Sequence, residues 1–239
     1  MKRPYIICHM VTSLDGKVIG DYLKVERAAY FTDIYEKIHP RYESKAWMCG
    51  RVTMEEHFTL GHKLDLIHED TPPISRTDYV ANKNATSYAI AVDPSGRLGW
   101  TESSIESWNE HRTDGHIVEV LTEQVSDAYL SHLKKIGVSY IFGGKEQLNF
   151  TVVVEKLKNL FSIDKIMLEG GGFLNGSFLN EGLIDELSLI LVPIADGASN
   201  SVTLFETSPF LNKTKPVNFF LKEVKKLDDS GLWLKYVTK

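Results

Sequence analysis

Lys165-Ile166-Met167-Leu168-Glu169-Gly170-Gly171-Gly172-Phe173-Leu174 is the stretch on which the fold turns. Its apolar start is too short for a helix and is followed by three glycines. Phe173, Leu174, Phe178 and Leu179 then recur at helical spacing. The segment reads as a buried strand, a glycine turn and the start of a helix. Glycines let a backbone approach a ligand closely. The N–H groups at the start of a helix favour an anion such as a dinucleotide pyrophosphate. Glu169 falls at the carboxyl end of the strand, where open α/β sheets hold their ligands. The pattern is neither Gly-x-Gly-x-x-Gly nor a Walker loop, so in isolation it equally fits a flexible turn.

A second junction adds weight to the ligand reading. Ala46-Trp47-Met48-Cys49 is a short apolar run closed by Gly50, and Arg51-Val52-Thr53 opens a helix. Thr53 offers a hydroxyl or a cap, and Arg51 a planar multi-donor cation. Two strand–glycine–helix junctions in one sheet are what a bound dinucleotide requires. Ser13, Asp15 and Lys17 cluster after the first apolar run, Tyr5 to Val11. They suit a sugar phosphate, but Asp-Gly-Lys is also an ordinary surface turn.

The chain has 239 residues, of which 43% are hydrophobic and 25% charged, enough for one large α/β domain or two small ones. We expect a single domain over 1–239. A formal net charge of -5 argues against a general nucleic-acid binder. No apolar run approaches the ~20 residues of a membrane span, and the first residues do not form a signal peptide. Cys8 and Cys49 lie in strand-like runs, which predicts buried reduced thiols and a cytoplasmic protein. His57, His62 and His68 fall in a polar stretch with no zinc-ligand spacing, and no metal is expected.

Along the chain, residues 28–44 have helical spacing disturbed by Pro40, and 88–92 and 117–121 read as strands. Residues 57–84 form a long polar loop, functional or mobile. Asp93-Pro94-Ser95-Gly96 is a turn. Residues 128–136 form a helix with Gly137 at its C-terminus, and 139–142 a strand closed by Gly143-Gly144. Residues 148–161 are helical and 184–192 a strand. Asp228-Asp229-Ser230-Gly231 joins two strands as a hairpin. Trp47 and Trp233 belong to the core, whereas Trp100 and Trp108 flank a polar segment and are expected to be partly exposed. Strands alternating with helices and then an antiparallel end predict a mostly parallel sheet with an antiparallel edge.

Taken together, Thr12-Ser13-Leu14-Asp15-Gly16-Lys17, Gly50-Arg51-Val52-Thr53, Asp93-Pro94-Ser95-Gly96-Arg97-Leu98, Glu169-Gly170-Gly171-Gly172 and Leu183-Ile184-Asp185-Glu186-Leu187 resemble, in order, the reductase domain of the bifunctional riboflavin-biosynthesis deaminase/reductase. Pro193, Gly197 and Leu204-Phe205 extend the likeness. The resemblance implies a dihydrofolate-reductase-like three-layer α/β fold, a homodimer, and NADPH as cofactor. It implies reduction of the ribosyl group of a phosphoribosylaminopyrimidine to ribityl. By position, Gly50, Arg51, Val52, Thr53 and Asp93 would meet the cofactor, with Arg51 favouring the 2′-phosphate. Gly170, Gly171, Gly172, Phe173 and Leu174 would line its pyrophosphate. Ser13 and Asp15 would bind substrate, and Lys17 and Glu169 would act in catalysis. Where many relatives carry an acid before proline in the substrate loop, this chain reads Met54-Glu55-Glu56-His57-Phe58-Thr59-Leu60, and Lys45-Ala46 replaces their Asp-Ala. No deaminase zinc signature accompanies these motifs, so deamination is expected from another protein. A reductase of another heterocycle, such as a pterin, and a non-catalytic dinucleotide-binding protein stand as alternatives.

Overall fold

The apolar runs bounded by glycine or turn residues form strands, and the stretches of helical spacing form helices. A computed structural model describes residues 2–66, 72–207 and 215–238. In chain order these hold β1 (Tyr5–Thr12), α1 (Glu26–Ile38), β2 (Ala46–Gly50), α2 (Arg51–His57), β3 (Tyr88–Val92), β4 (Ser104–Ile105) and β5 (Gly115–Thr122). They continue with α3 (Asp127–Ile136), β6 (Ser139–Gly144), α4 (Phe150–Phe161), β7 (Lys165–Leu168), α5 (Gly172–Asn180), β8 (Glu186–Leu191), β9 (Phe220–Lys226) and β10 (Leu232–Val237).

Two compact units divide the chain, one of residues 1–4 and 45–166, the other of residues 5–44 and 167–239. In the first, β2, β3, β5 and β6 pair in parallel. β4 adds an antiparallel pair of residues at the start of β5. These strands are buried along nearly their whole length, which is why they read as continuous apolar runs rather than alternating ones. In the second unit the strand order is β7-β1-β8-β10-β9, with β1 and β8 parallel and the β9–β10 hairpin antiparallel. Its core joins Phe31 and Ile38 of α1 to Ile190, Val192 and Trp233.

Local chemistry sets the element ends. Pro40 stops α1, and the chain continues as a 3-10 turn over His39–Tyr42. Gly137 ends α3 in the left-handed region, at φ 77°. α4 begins two residues later than its periodicity suggests, because the Asn149 side chain caps it by accepting from Val152 N. Gly143 and Gly144 extend β6 instead of closing it. β4 is too short to leave a periodic signal.

Trp100 corrects an expectation: it is buried, with its indole N–H donated to Glu119, while Trp108 is partly exposed as expected. Trp47, Trp233 and both cysteines are buried, the cysteines as thiols. Part of the long polar loop is held down. Arg76 donates to the carbonyls of Glu123 and Val125 and pairs with Asp127. Asp78 accepts from Phe142 N and from Lys156, and Tyr79 bridges Tyr140. His68 lies outside the described residues. No helix among the described residues is long and apolar enough to cross a membrane.

Candidate active site

In the first unit, α2 follows β2 directly. Its N-cap is Gly50, not Thr53, which sits inside the first turn. Arg51 pairs with Glu55 one turn on. Val52 is exposed. At the end of β3, Asp93 is fully buried. Its Oδ2 accepts the backbone N–H groups of Arg97 and Leu98. The carboxylate therefore winds residues 93–98 into a tight loop instead of facing outward. Gly96 has φ 63°, and a Cβ there would lie 2.5 Å from both the Tyr129 ring and Val125. That loop and α2 contribute to a cleft of about 370 Å³ lined by Arg51, Glu55, Lys63, Gly96, Arg97 and Tyr129. Three cations face one carboxylate there, a donor set that suits a phosphate.

Behind the loop lies a buried acid. Glu119 of β5 accepts from the Trp100 indole, and the Tyr129 hydroxyl is 2.9 Å from its Oε1. Burial, and then the nearby Asp93 charge, raise its carboxyl well above the usual range. Asp93 is also raised by burial, opposed by the N–H groups it accepts and by Arg51. Among the described residues, Asp93 Oδ1 and Glu119 Oε2 are buried with no hydrogen-bond partner.

In the second unit, β1 runs into a turn closed by its own side chains. Buried Ser13 donates to Asp15 at 2.6 Å and accepts from Lys17 N at 2.9 Å. Asp15 also accepts the backbone N–H groups of Asp196 and Gly197. The Ser13 hydroxyl, and then these N–H groups, hold its carboxyl far below the usual carboxylate range. Lys17 donates through Nζ to Ser201 O at 3.3 Å.

Residues 202–206 connect this turn to the glycine motif. Lys17 bridges Thr203 as a strand pair, and Leu204 N donates to Gly16 O. Glu206 N donates to Gly172 O. The glycines are thus used unequally. A Cβ on Gly172 would lie 2.2 Å from Thr203 O, and one on Gly176 1.8 Å from Glu206 O. The chain's own backbone fills both places. Gly171, at φ 68°, faces open space, and Gly170 is buried. Phe173 is exposed and Leu174 buried.

Glu169 is buried, and His39 Nδ1 donates to its Oε1 at 2.6 Å. His39 escaped sequence reasoning because 130 positions separate the two. Lys63, Arg97 and Glu119 were missed as well. Arg97 stood inside a recognised motif, but nothing in its spacing marked it as a cleft residue. Each expected site residue falls in one of the two clusters: Gly50, Arg51, Val52, Thr53 and Asp93 in the first unit, and Ser13, Asp15, Lys17 and 169–174 in the second.

Residues 94–232 match the RibD C-terminal domain. The chain belongs to that family. The 2,5-diamino-6-ribosylamino-4(3H)-pyrimidinone 5′-phosphate reductase of Archaeoglobus fulgidus is 25% identical over 213 residues, covering 89% of this chain and 91% of its own. The protein of the same name from Methanothermobacter thermautotrophicus is 24% identical, covering 85% and 84%. Among solved structures, a pyrimidine reductase-like protein of Corynebacterium diphtheriae superposes with a TM-score of 0.68 at 14% identity, over 99% of this chain and 92% of its own. The yeast riboflavin biosynthesis reductase Rib7 gives 0.60 at 15% identity, over 100% and 91%. Acinetobacter baumannii RibD gives 0.65 at 21% identity, and this chain spans 59% of it. These likenesses bear out the dihydrofolate-reductase-like α/β fold. Membership of a RibD reductase-domain family implies a nicotinamide cofactor, and the cation-lined cleft fits the phosphate of such a group.

Proposed function

We propose that the chain is an NADPH-dependent reductase of the riboflavin pathway, converting the ribosyl group of a phosphoribosylaminopyrimidine 5′-phosphate to ribityl. The observation that carries the reading is the cleft in which Arg51, Lys63 and Arg97 converge, on a chain whose relatives are named as that reductase. Three cations around one small volume favour a 2′-phosphate over a ribose hydroxyl, hence NADPH over NADH. The open space beside the half-buried Gly171 leaves room for a pyrophosphate to approach its backbone.

Bound nicotinamide supplies a hydride; the protein supplies binding, orientation and charge. The sugar C1 gains the hydride, the C1–O4′ bond opens, and O4′ gains a proton. Lys17 and Glu169 act on the sugar, as cation and carboxyl, and manage that proton. Ser13 and Asp15 hold the Lys17 turn in register. We further propose a cytoplasmic homodimer. Its support is β9, every residue of which is exposed, with Phe220, Leu221 and Val224 more than half exposed on the edge strand. Sedimentation of the wild type and of Phe220→Glu tests it: a monomeric wild type removes the dimer.

The activity is tested by NADPH oxidation with the deaminated and the undeaminated ribosylaminopyrimidine phosphates as separate substrates. Turnover with either supports the reading and says on which side of deamination the enzyme acts. NADPH binding without turnover on either moves the assignment to another heterocycle or to a binding role. Lys17→Ala and Glu169→Gln are expected to lower kcat by about 100-fold or more, with NADPH affinity nearly unchanged.

A further inference from the structure

His39 carries no role in anything stated so far, yet it holds the one carboxylate at the end of β7. We infer that His39 is a positioning residue, whose Nδ1–H fixes the Glu169 carboxylate in the orientation that reduction of the sugar requires. The inference rests on Glu169 acting on the substrate.

The argument starts with the chain's path. Pro40 ends α1, and the His39 backbone N–H donates to Tyr35 O, so His39 leaves the helix on a fixed backbone. Its side chain is 10% exposed and that of Glu169 only 4%. A carboxylate so far from water needs a donor, and a 2.6 Å bond from an imidazole is a short, charge-assisted one. Glu169 is followed at once by Gly170 and Gly171, which have no side chains to brace it. His39 comes from a chain segment 130 positions away, so the bond ties the end of β7 to the end of α1. A rigid ring bonded to one oxygen selects one carboxylate orientation before substrate arrives, and misplacement of a catalytic group by about 1 Å can cost ~100-fold in rate.

A purely structural pair makes a different forecast. It would lower stability when broken but leave kcat of the folded enzyme alone. The experiment compares His39→Leu, His39→Asn, His39→Gln, Glu169→Gln and the double variant His39→Leu/Glu169→Gln. Each is measured for melting temperature, NADPH affinity by nicotinamide fluorescence, and kcat and KM for the ribosylaminopyrimidine phosphate. Asparagine places an amide N–H close to the Nδ1 position; glutamine places it further out. We expect His39→Leu and His39→Gln to lose about 10- to 100-fold in kcat with NADPH affinity within twofold. His39→Asn should recover most of the loss. The double variant should be no slower than Glu169→Gln. In proton NMR, the wild type should give a strongly downfield Nδ1–H signal that Glu169→Gln moves upfield.

Folded His39→Leu with wild-type kcat overturns the inference. If His39→Leu does not fold, equal kcat for the asparagine and glutamine variants overturns it, as does the absence of the downfield signal in the wild type. Wild-type kcat in Glu169→Gln is a separate outcome: it removes Glu169 from catalysis and takes the role of His39 with it.

Discussion

At the end of β2 the chain leaves Arg51 in a cleft with Lys63 and Arg97, whereas after β7 it packs Gly172 against the carbonyl of Thr203. The first junction has modest sequence features and ends with charge to spare. The second has the most conspicuous motif in the chain and uses much of it internally. The glycine run therefore serves two different surroundings: open space at Gly171, and the protein's own backbone at Gly172 and Gly176. On the reading proposed above, the cations of the cleft, from segments far apart in sequence, mark the cofactor site more directly than the glycine run does.

The sharpest way to break that distinction is to add one methyl group at a time. Gly176→Ala puts a Cβ 1.8 Å from Glu206 O, and backbone has no rotamer with which to yield. We expect a loss of about 3 kcal/mol in urea unfolding. Gly171→Ala meets nothing within 4 Å, so its whole cost is the backbone strain of φ 68°, ψ 136°, about 1–3 kcal/mol. A Gly176→Ala variant as stable as the wild type would mean that residues 202–206 do not seal the helix face.

The cation cleft is probed by affinity. Arg97→Ala should weaken NADPH by roughly 2 kcal/mol, or about 30-fold, the worth of a hydrogen bond to a charged group. NADH should bind as before. Arg51→Ala should behave alike, though its tie to Glu55 means that its loss also frees a carboxylate in the cleft. Equal weakening of both cofactors would move these cations away from the 2′-phosphate.

The pattern of what was legible follows from the range of each interaction. Strands β1, β2, β3 and β7 and the hairpin turn at Asp228–Gly231 are set by neighbours a few positions away, and composition names them. The Asp93 motif was recognised as a turn, but that its carboxylate turns inward depends on the burial of β3 and α3. The contact of His39 with Glu169 and the gathering of Lys63 with Arg97 depend on chain segments that meet only after folding. Trp100 misled because its flanking polar residues suggested exposure, while its own N–H had a buried acceptor in Glu119.

That acceptor offers a smaller test, read as a slope. Glu119 has a raised carboxyl in the folded state, from burial and from Asp93. Below its unfolded value of 4.5 both states hold the proton. As pH rises above that, the unfolded chain releases it and the folded chain does not, so stability falls, by up to about 1.4 kcal/mol per pH unit. Glu119→Gln keeps an acceptor for Trp100 and Tyr129 and has no proton to release. It should gain on the wild type steadily from pH 5 upward in thermal melts. A constant difference across pH would mean that Glu119 is ionised in the fold.

Asp15 in the second unit should show the opposite sign and the smallest effect. The Ser13 hydroxyl, followed by the N–H groups of Asp196 and Gly197, lowers its carboxyl from 3.8. Its contribution is therefore complete above pH 3.8 and is lost as pH falls below that value toward the folded one. The group is open to solvent, so the contribution is modest. Asp15→Asn cannot accept from both N–H groups and should melt slightly lower at pH 7, with the gap to wild type closing below pH 4. Because Asp15 ties residues 196–197 to the Lys17 turn, the same substitution should raise KM for the sugar phosphate more than it changes NADPH affinity. A gap in melting temperature that persists at pH 3 would mean that shape, rather than the charge on Asp15, joins the two segments.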